Sequence, residues 1–166
     1  HYEIAERLGG FAFLQKKKMQ GRIKKLGLSY HDNAELLDQI LTEHPETEVV
    51  QLQINYLDWD DQSVQSGKCY ETARKHGKEI IVMEPVKGGT LARLPEQAEQ
   101  LLKDYAPERS PASWAIRFAA SLDGVLTVLS GMSNFEQLRD NMSYMKAFVP
   151  LKEDEKTVLR KVVSAI

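Results

Sequence analysis

The segment with the clearest chemical potential is Ser130-Gly131-Met132-Ser133-Asn134, which follows an apolar run and precedes a helical pattern. A strand that leads directly into a helix N-terminus presents free N–H groups and the positive end of the helix dipole, and both favour an anion. Gly131 would let the backbone approach that anion closely. The same residues also fit an ordinary helix cap made by Ser133 or Asn134. The sequence therefore predicts either an anion site or a cap here.

Five further polar or aromatic residues stand at the ends of other apolar runs, and each has two interpretations. His31 fits a pocket wall or a loop residue before a helix, and Trp59 fits a substrate wall or plain surface cover. Glu84 ends a buried strand, so its carboxylate is either an acid or base or a structural hydrogen-bond acceptor. Gln51 and Gln53 share one strand face, which holds a polar ligand if it is interior and otherwise faces solvent.

Composition excludes several function classes. Among 166 residues, 22 Lys and Arg stand against 24 Asp and Glu, which gives no positive field for nucleic acid. We expect the Lys16-Lys17-Lys18 run to be a solvated helix face. The histidines lack ligand spacing and Cys69 suits inert packing, so no metal site is expected. No apolar run nears the roughly 18 residues of a membrane span, and no signal peptide is seen, so we expect a cytoplasmic protein with no membrane partner.

Four short apolar runs of about strand length must position these residues. The second and third have little polar alternation, which predicts strands buried on both faces. Helical patterns separate the runs, which favours a parallel sheet with the site at the carboxyl ends of its strands. The predicted strands are Ile23–Ser29, Val49–Asn55, Glu79–Glu84 and Val125–Ser130.

Start and stop signals bound the helical patterns. Asp32 with Glu35 resembles a capping box, Ser110-Pro111 is a cap followed by proline at the first helical position, and Ser133-Asn134 caps the next helix. A looser amphipathic stretch lies between the third and fourth strands. The predicted helical segments include Ile4–Gln20, Asp61–His76, Arg93–Ala106 and Lys152–Ser164.

Chain length limits the architecture. A complete (β/α)8 barrel takes about 250 residues, so four β/α units amount to half of one. A small doubly wound sheet is the alternative, although the G-x-G-x-x-G phosphate fingerprint does not follow the first strand. We expect residues 1–166, which start at His1 and not Met, to be part of a longer protein.

Several strand-end motifs resemble the aldo-keto reductase family. Gly21–Ser29 is similar to the family's entry into strand five, Ser110–Arg117 to its helix seven, and Val128–Asn134 with Gln137 and Asn141 to the cofactor-binding end of strand eight. Two further segments are most similar to the branch that carries a C-terminal iron–sulfur segment. They are Tyr30-His31-Asp32 and Met83-Glu84-Pro85-Val86-Lys87-Gly88-Gly89.

The resemblance implies half of a (β/α)8 TIM barrel, strands five to eight, from an enzyme that reduces small carbonyl compounds with a nicotinamide cofactor. In the family, a Tyr tuned by Lys and Asp donates the proton and a His orients the substrate. Those residues lie on strands one to four, so we expect them upstream and expect no catalytic residue here. His1-Tyr2 matches a loop position and not the catalytic pair.

The resemblance also implies a set of cofactor contacts. Ser29 and Gln51 would bind the nicotinamide carboxamide, Pro85 to Gly88, with Val86, would follow the diphosphate, and Met83 replaces the usual stacking aromatic. Gly131 and Ser133 would meet the adenosine ribose and its phosphate, and Gln137 and Asn141 the adenine side. Tyr30 replaces a common Asn. Position 131 is Gly and not the basic residue that often binds the 2′-phosphate in this family. Family habit alone therefore favours NADPH, and NADH stays open.

Two further expectations complete the sequence-based picture. An iron–sulfur cluster belongs to the parent protein and not to this chain, because its cysteines are absent. A half-barrel has two open sheet edges that must be paired or covered. The alternative function is therefore a non-catalytic binding module that associates with itself or with an N-terminal half.

Overall fold

Eight α-helices and four β-strands make up the computed structural model, which describes residues 1–166. A 3-10 turn, Lys87–Ala92, follows the third strand. None of the helices is both long and apolar enough to cross a membrane. In chain order the elements are α1 Tyr2–Arg7, α2 Gly10–Met19, β1 Gly27–Tyr30, α3 Ala34–Glu43, β2 Val49–Gln53, α4 Ser66–Lys75, β3 Glu79–Met83, α5 Glu96–Tyr105, α6 Pro111–Ala120, β4 Val125–Val128, α7 Phe135–Met145 and α8 Glu153–Ala165.

The four strands form one parallel sheet in the order β1-β2-β3-β4. Gly27 pairs with Val49, and Val49 pairs with Glu79, so the first three strands are in register. The pairing of β3 with β4 shifts between Ile80 and Ile81. All four predicted strands are thus confirmed; each is shorter than predicted, although β1 ends one residue later, at Tyr30. The order never reverses, whereas a doubly wound sheet has a reversal point, so that alternative is wrong.

Only one face of the sheet is covered by helices. Side chains such as Val50, Leu52 and Val82 point to this face and are at most 2% exposed, packed with Leu37 of α3 and Ala73 of α4. The opposite face is half-buried or exposed and carries Ser29, Gln51, Gln53, Ile81 and Met83. The prediction that β2 and β3 are buried on both faces is therefore wrong. No second layer of this chain lies over that face.

A second core lies outside the sheet among α5, α6 and α8. Trp114 of α6 is fully buried there, with Leu102 of α5, Leu159 and Val162 of α8, and Leu91 of the 3-10 turn. Tyr105 meets the Trp114 ring edge-on at 5.6 Å between centroids. This cluster anchors one end of the segment that follows β3.

Local hydrogen bonds explain where the helix ends differ from expectation. The first predicted helix is divided because Gly9 adopts a left-handed φ of 66°. The helix predicted from Asp61 begins at Ser66, since the Asp61 carboxylate accepts the N–H groups of Ser63 and Val64 in a turn. Asn33 and not Asp32 caps α3.

Candidate functional site

A groove of about 820 Å³ lies at the carboxyl ends of β3 and β4. Its size falls in the range of about 300–1,000 Å³ typical of ligand sites. Eight of the ten residues predicted from the sequence line it, while Ser29 and Gln51 do not. The eight are Met83, Pro85, Val86, Gly88, Gly131, Ser133, Gln137 and Asn141. Their grouping is a structural fact, and their part in cofactor binding stays a prediction.

Ser29 and Gln51 continue the groove along the open face of the sheet. The Gln51 side-chain amide lies 3.3 Å from Ser29 Oγ and 3.4 Å from Met83 Sδ, so it links β1 to β3. Ser29 Oγ also lies 3.1 Å from His31 Nε2. Through these contacts Ser29 and Gln51 connect to Met83, and so to the groove, across β1, β2 and β3. Register explains this, since Ser29 and Gln51 are paired neighbours in the parallel sheet.

One wall of the groove is the segment Glu84–Gly89. Gly88 and Gly89 have positive φ of 60° and 96°, which only glycine adopts without strain, and a Cβ on Gly89 would meet no atom within 4 Å. The backbone there is open to a ligand. The Glu84 carboxylate lines the groove and accepts the Gly88 N–H at 2.6 Å, which supports its structural interpretation.

The opposite wall is the loop after β4 and the start of α7. Asn134 caps α7 by accepting the Gln137 N–H at 2.9 Å, so the predicted cap is confirmed. The Gln137 side-chain oxygen accepts the Ser133 N–H at 2.7 Å, which leaves its NH2 group without a protein partner. Asn141 donates to Ser130 Oγ at 2.9 Å. Asn134 and Gln137 thus occupy two backbone N–H groups of the predicted anion site, and side-chain amide donors remain.

Sequence reasoning missed part of the lining. Ala112 and Ile116 come from α6, which the tertiary fold alone brings to the groove. Arg93 is the one cationic side chain among the lining residues, and it is exposed. The sequence signal that could have identified Arg93 is its position after a glycine-rich turn at the end of a strand. Together with Glu84, it gives the lining no net charge.

The remaining candidates take structural roles. Tyr30 is 6% exposed on the helix-covered face and donates to the Asn33 carbonyl at 2.5 Å. Trp59 packs at 5.4 Å from both Tyr70 and Phe118. Cys69 is buried, and burial, aided by nearby Asp32, raises the pKa of its thiol to about 11, so inert packing is confirmed.

The charged candidates outside the groove are partnered or scattered. Lys18 pairs with Glu48, and Lys17 lies over the Phe13 ring, so the basic run is only partly solvated. The His44 ring stacks on Phe11 at 3.6 Å. No group of three or more His, Cys, Asp or Glu side chains is arranged to hold a metal ion.

Two solved structures that share this fold are aldo-keto reductases. Aldo-keto reductase AKR11C1 from Bacillus halodurans, in its holo form, has a TM-score of 0.67 at 21% identity, covering 89% of this chain and 53% of that protein. An aldo-keto reductase from Klebsiella pneumoniae in complex with NADPH has 0.65 at 16%, covering 90% and 51%. These identities show the fold alone, and this chain spans about half the length of those proteins.

A family model makes the membership plain. The model of the aldo/keto reductase family matches residues 3–163. No curated protein sequence matches the chain. The family match covers both core clusters and both walls of the groove. The chain belongs to the aldo/keto reductase family.

Proposed function

We propose that the chain is the cofactor-binding half of an NAD(P)H-dependent aldo-keto reductase. The observation that carries this is the single groove that collects eight of ten residues chosen from sequence motifs alone. The chain would supply strands five to eight of the (β/α)8 barrel. The catalytic Tyr, Lys, Asp and His would come from the other half, so this half would bind and orient the cofactor.

The uncovered sheet face supports the half-barrel assignment. Parallel sheets are normally covered on both faces, whereas here only the helix face is. Both β1 and β4 are edge strands, and Leu126 and Leu129 near the β4 edge are 53% and 45% exposed. In a closed barrel the open face becomes the interior and both edges are paired. The solved structures are about twice as long as this chain, which leaves room for the four further units that the proposal requires.

The groove residues fit a dinucleotide. Ser29 and Gln51 offer a hydroxyl and an amide to the nicotinamide carboxamide, and the uncrowded backbone at Gly89 leaves room for the diphosphate beside Gly88. Gly131 and Ser133 would lie beside the adenosine ribose, and the free NH2 of Gln137 would reach the adenine side with Asn141. When bound, the reduced nicotinamide supplies a hydride to the carbonyl carbon of a small substrate.

Apolar residues in the groove would shield the nicotinamide end of the cofactor from water. Met83, Ile116 and Leu129 line the groove and would exclude water from the nicotinamide end. Gln51, held against Met83 and Ser29, would fix the orientation of the ring. We propose NADPH as the cofactor because the family resemblance favours it. NADH is the alternative, because Arg93 is the one cationic side chain that lines the groove. Two further predictions belong to this proposal. The protein would be cytoplasmic, and it would belong to the branch of the family that carries a C-terminal iron–sulfur segment.

Calorimetric titration of the chain with NADPH and with NADH tests this function. We expect saturable binding of at least one, weakened about tenfold by Gln137→Ala through loss of a hydrogen bond. Arg139→Ala, on the same helix but outside the lining, should leave affinity unchanged. Absence of binding of both nucleotides contradicts the proposal. Rapid aldehyde reduction by the chain alone would show that the half-barrel assignment is wrong.

Exposed apolar side chains favour one second candidate, a self-associating module without catalysis. Phe135, Leu138, Met142 and Met145 recur on one face of α7 and are 36–78% exposed. Such a stripe is typical of a contact surface. Size-exclusion chromatography with light scattering decides between the candidates. A dimer that binds nucleotide supports the module, and a monomer that binds nucleotide supports the half-enzyme.

A further inference from the structure

A buried carboxylate that the proposed function does not use lies just behind the groove. Asp58 follows β2, and its side chain is 4% exposed. It accepts hydrogen bonds from Gln53 Nε2 at 2.9 Å and Asn55 Nδ2 at 2.8 Å, and it pairs with the Lys87 ammonium. A buried charge persists only when it is well partnered. Each partner of Asp58 is therefore part of one polar network.

The network is attached to a segment that holds two of the three non-glycine residues with positive φ. Glu84 and Lys87 have φ of 55° and 49°, in the left-handed region that L residues adopt at a cost. Gly88 and Gly89 continue in that region. Backbone hydrogen bonds within the turn, from the Lys87 N–H to the Glu84 carbonyl at 3.1 Å and from the Gly89 N–H to the Val86 carbonyl at 3.1 Å, offset part of the cost at Glu84 and Lys87. Side-chain contacts from outside the segment are needed to offset the rest of that cost.

Two contacts tie the strained segment to the network. The Lys87 side chain reaches Asp58, and Lys87 does not line the groove although Val86 and Gly88 on either side of it do. Asn55 Nδ2, which binds Asp58, also donates to the Glu84 carbonyl at 3.2 Å. Asp58 thus reaches both ends of the turn, directly at Lys87 and through Asn55 at Glu84.

We propose that Asp58 is the positioning residue of the groove: through Lys87 and Asn55 it holds Glu84–Gly89 in the left-handed turn that forms the groove wall. Its effect on nucleotide binding rests on the proposed function, whereas its effect on the turn does not. Asp58 touches no ligand in this scheme. Loss of the carboxylate frees Lys87, and the turn relaxes toward ordinary φ values.

Hydrogen exchange and nucleotide affinity, measured on the same variants, test the proposal. Asp58→Asn should raise amide exchange in residues 86–91 about tenfold or more and weaken nucleotide binding by a similar factor. Lys87→Met should do the same, and because its side chain is 36% exposed we expect this variant to fold. Lys87→Arg should restore both values, which a merely volume-filling role would not predict.

The matched control is Glu155→Gln, which breaks another buried ion pair, with Arg117, outside the groove. It should lower the unfolding midpoint without changing nucleotide affinity or exchange in residues 87–89, which lie outside the second core. Unchanged exchange in both Asp58→Asn and Lys87→Met overturns the positioning role. If the unmodified chain binds neither NADPH nor NADH, the proposed function fails while the exchange result still decides this inference.

Discussion

The Glu155→Gln substitution should destabilise the fold in a strongly pH-dependent way. Glu155 is 2% exposed at the start of α8, and its carboxylate accepts hydrogen bonds from Arg117 of α6 at 2.8 and 3.2 Å. It also pairs with Arg109 and accepts the Lys152 N–H at 2.9 Å. The carboxylate therefore joins α6 to α8 and caps α8 at the same time.

The magnitude follows from the pKa of Glu155. Burial opposes ionisation, but the arginine and backbone hydrogen bonds outweigh it and lower the pKa from 4.5 to about 2. At 1.36 kcal/mol per pKa unit, the charged form contributes about 3 kcal/mol of stability at neutral pH. This agrees with the cost of about 3–5 kcal/mol for breaking a buried pair.

The sign of the pH dependence is fixed by the lowered pKa. Stability from Glu155 is complete above pH 4.5, the unfolded value, and is lost as pH falls toward 2. The deficit of Glu155→Gln should thus shrink from about 3 kcal/mol at pH 7 to about 1 kcal/mol at pH 3. Urea unfolding followed by far-ultraviolet circular dichroism at both pH values measures it.

A control on the same helix separates burial from helix charge. Glu153→Gln removes an exposed carboxylate that pairs with Lys156, and we expect no measurable change in its unfolding midpoint at either pH. An equal deficit for Glu155→Gln at pH 7 and pH 3 would refute the reasoning. So would a deficit below about 1 kcal/mol at pH 7, since it would mean that the buried charge is weakly coupled.

Three further variants probe the core, a cap and the groove wall. Leu102→Ala, at a site 1% exposed, should cost about 2–5 kcal/mol in urea unfolding, and a smaller loss than for half-buried Leu101→Ala would contradict the second core. Ser110→Ala removes the cap that accepts the Ser113 N–H at 3.1 Å and should cost about 1 kcal/mol, while Ser110→Asn should retain most of it. Gly89→Ala should cost about 1–2 kcal/mol because of its positive φ, whereas Gly131→Ala, also in open space but with ordinary φ, should be neutral; equal effects on unfolding would contradict the backbone assignment.

Sequence patterns predicted most of the fold because apolar runs and helix-capping residues are local signals. The strands at Val49 and Glu79 begin where the apolar runs begin, and Ser110 and Asn134 cap the helices that follow them. Helix ends that depend on the hydrogen bonds of one side chain were less predictable. Helix α4 begins at Ser66 and not at the predicted Asp61, because the Asp61 carboxylate accepts hydrogen bonds from the two backbone N–H groups of Ser63 and Val64. That competition depends on geometry and leaves no periodic signal.

Taken alone, the sequence determined the family resemblance, the four β/α units and the residues at the strand ends, since these depend on residue type and short spacing. Tertiary structure decided which of them meet. Register placed Gln51 between Ser29 and Met83, and packing brought Ile116 to the groove. It also decided that one sheet face stays open and that Asp58 pairs with Lys87. The physical reason is that burial and pairing across distant segments are absent from any local stretch of sequence.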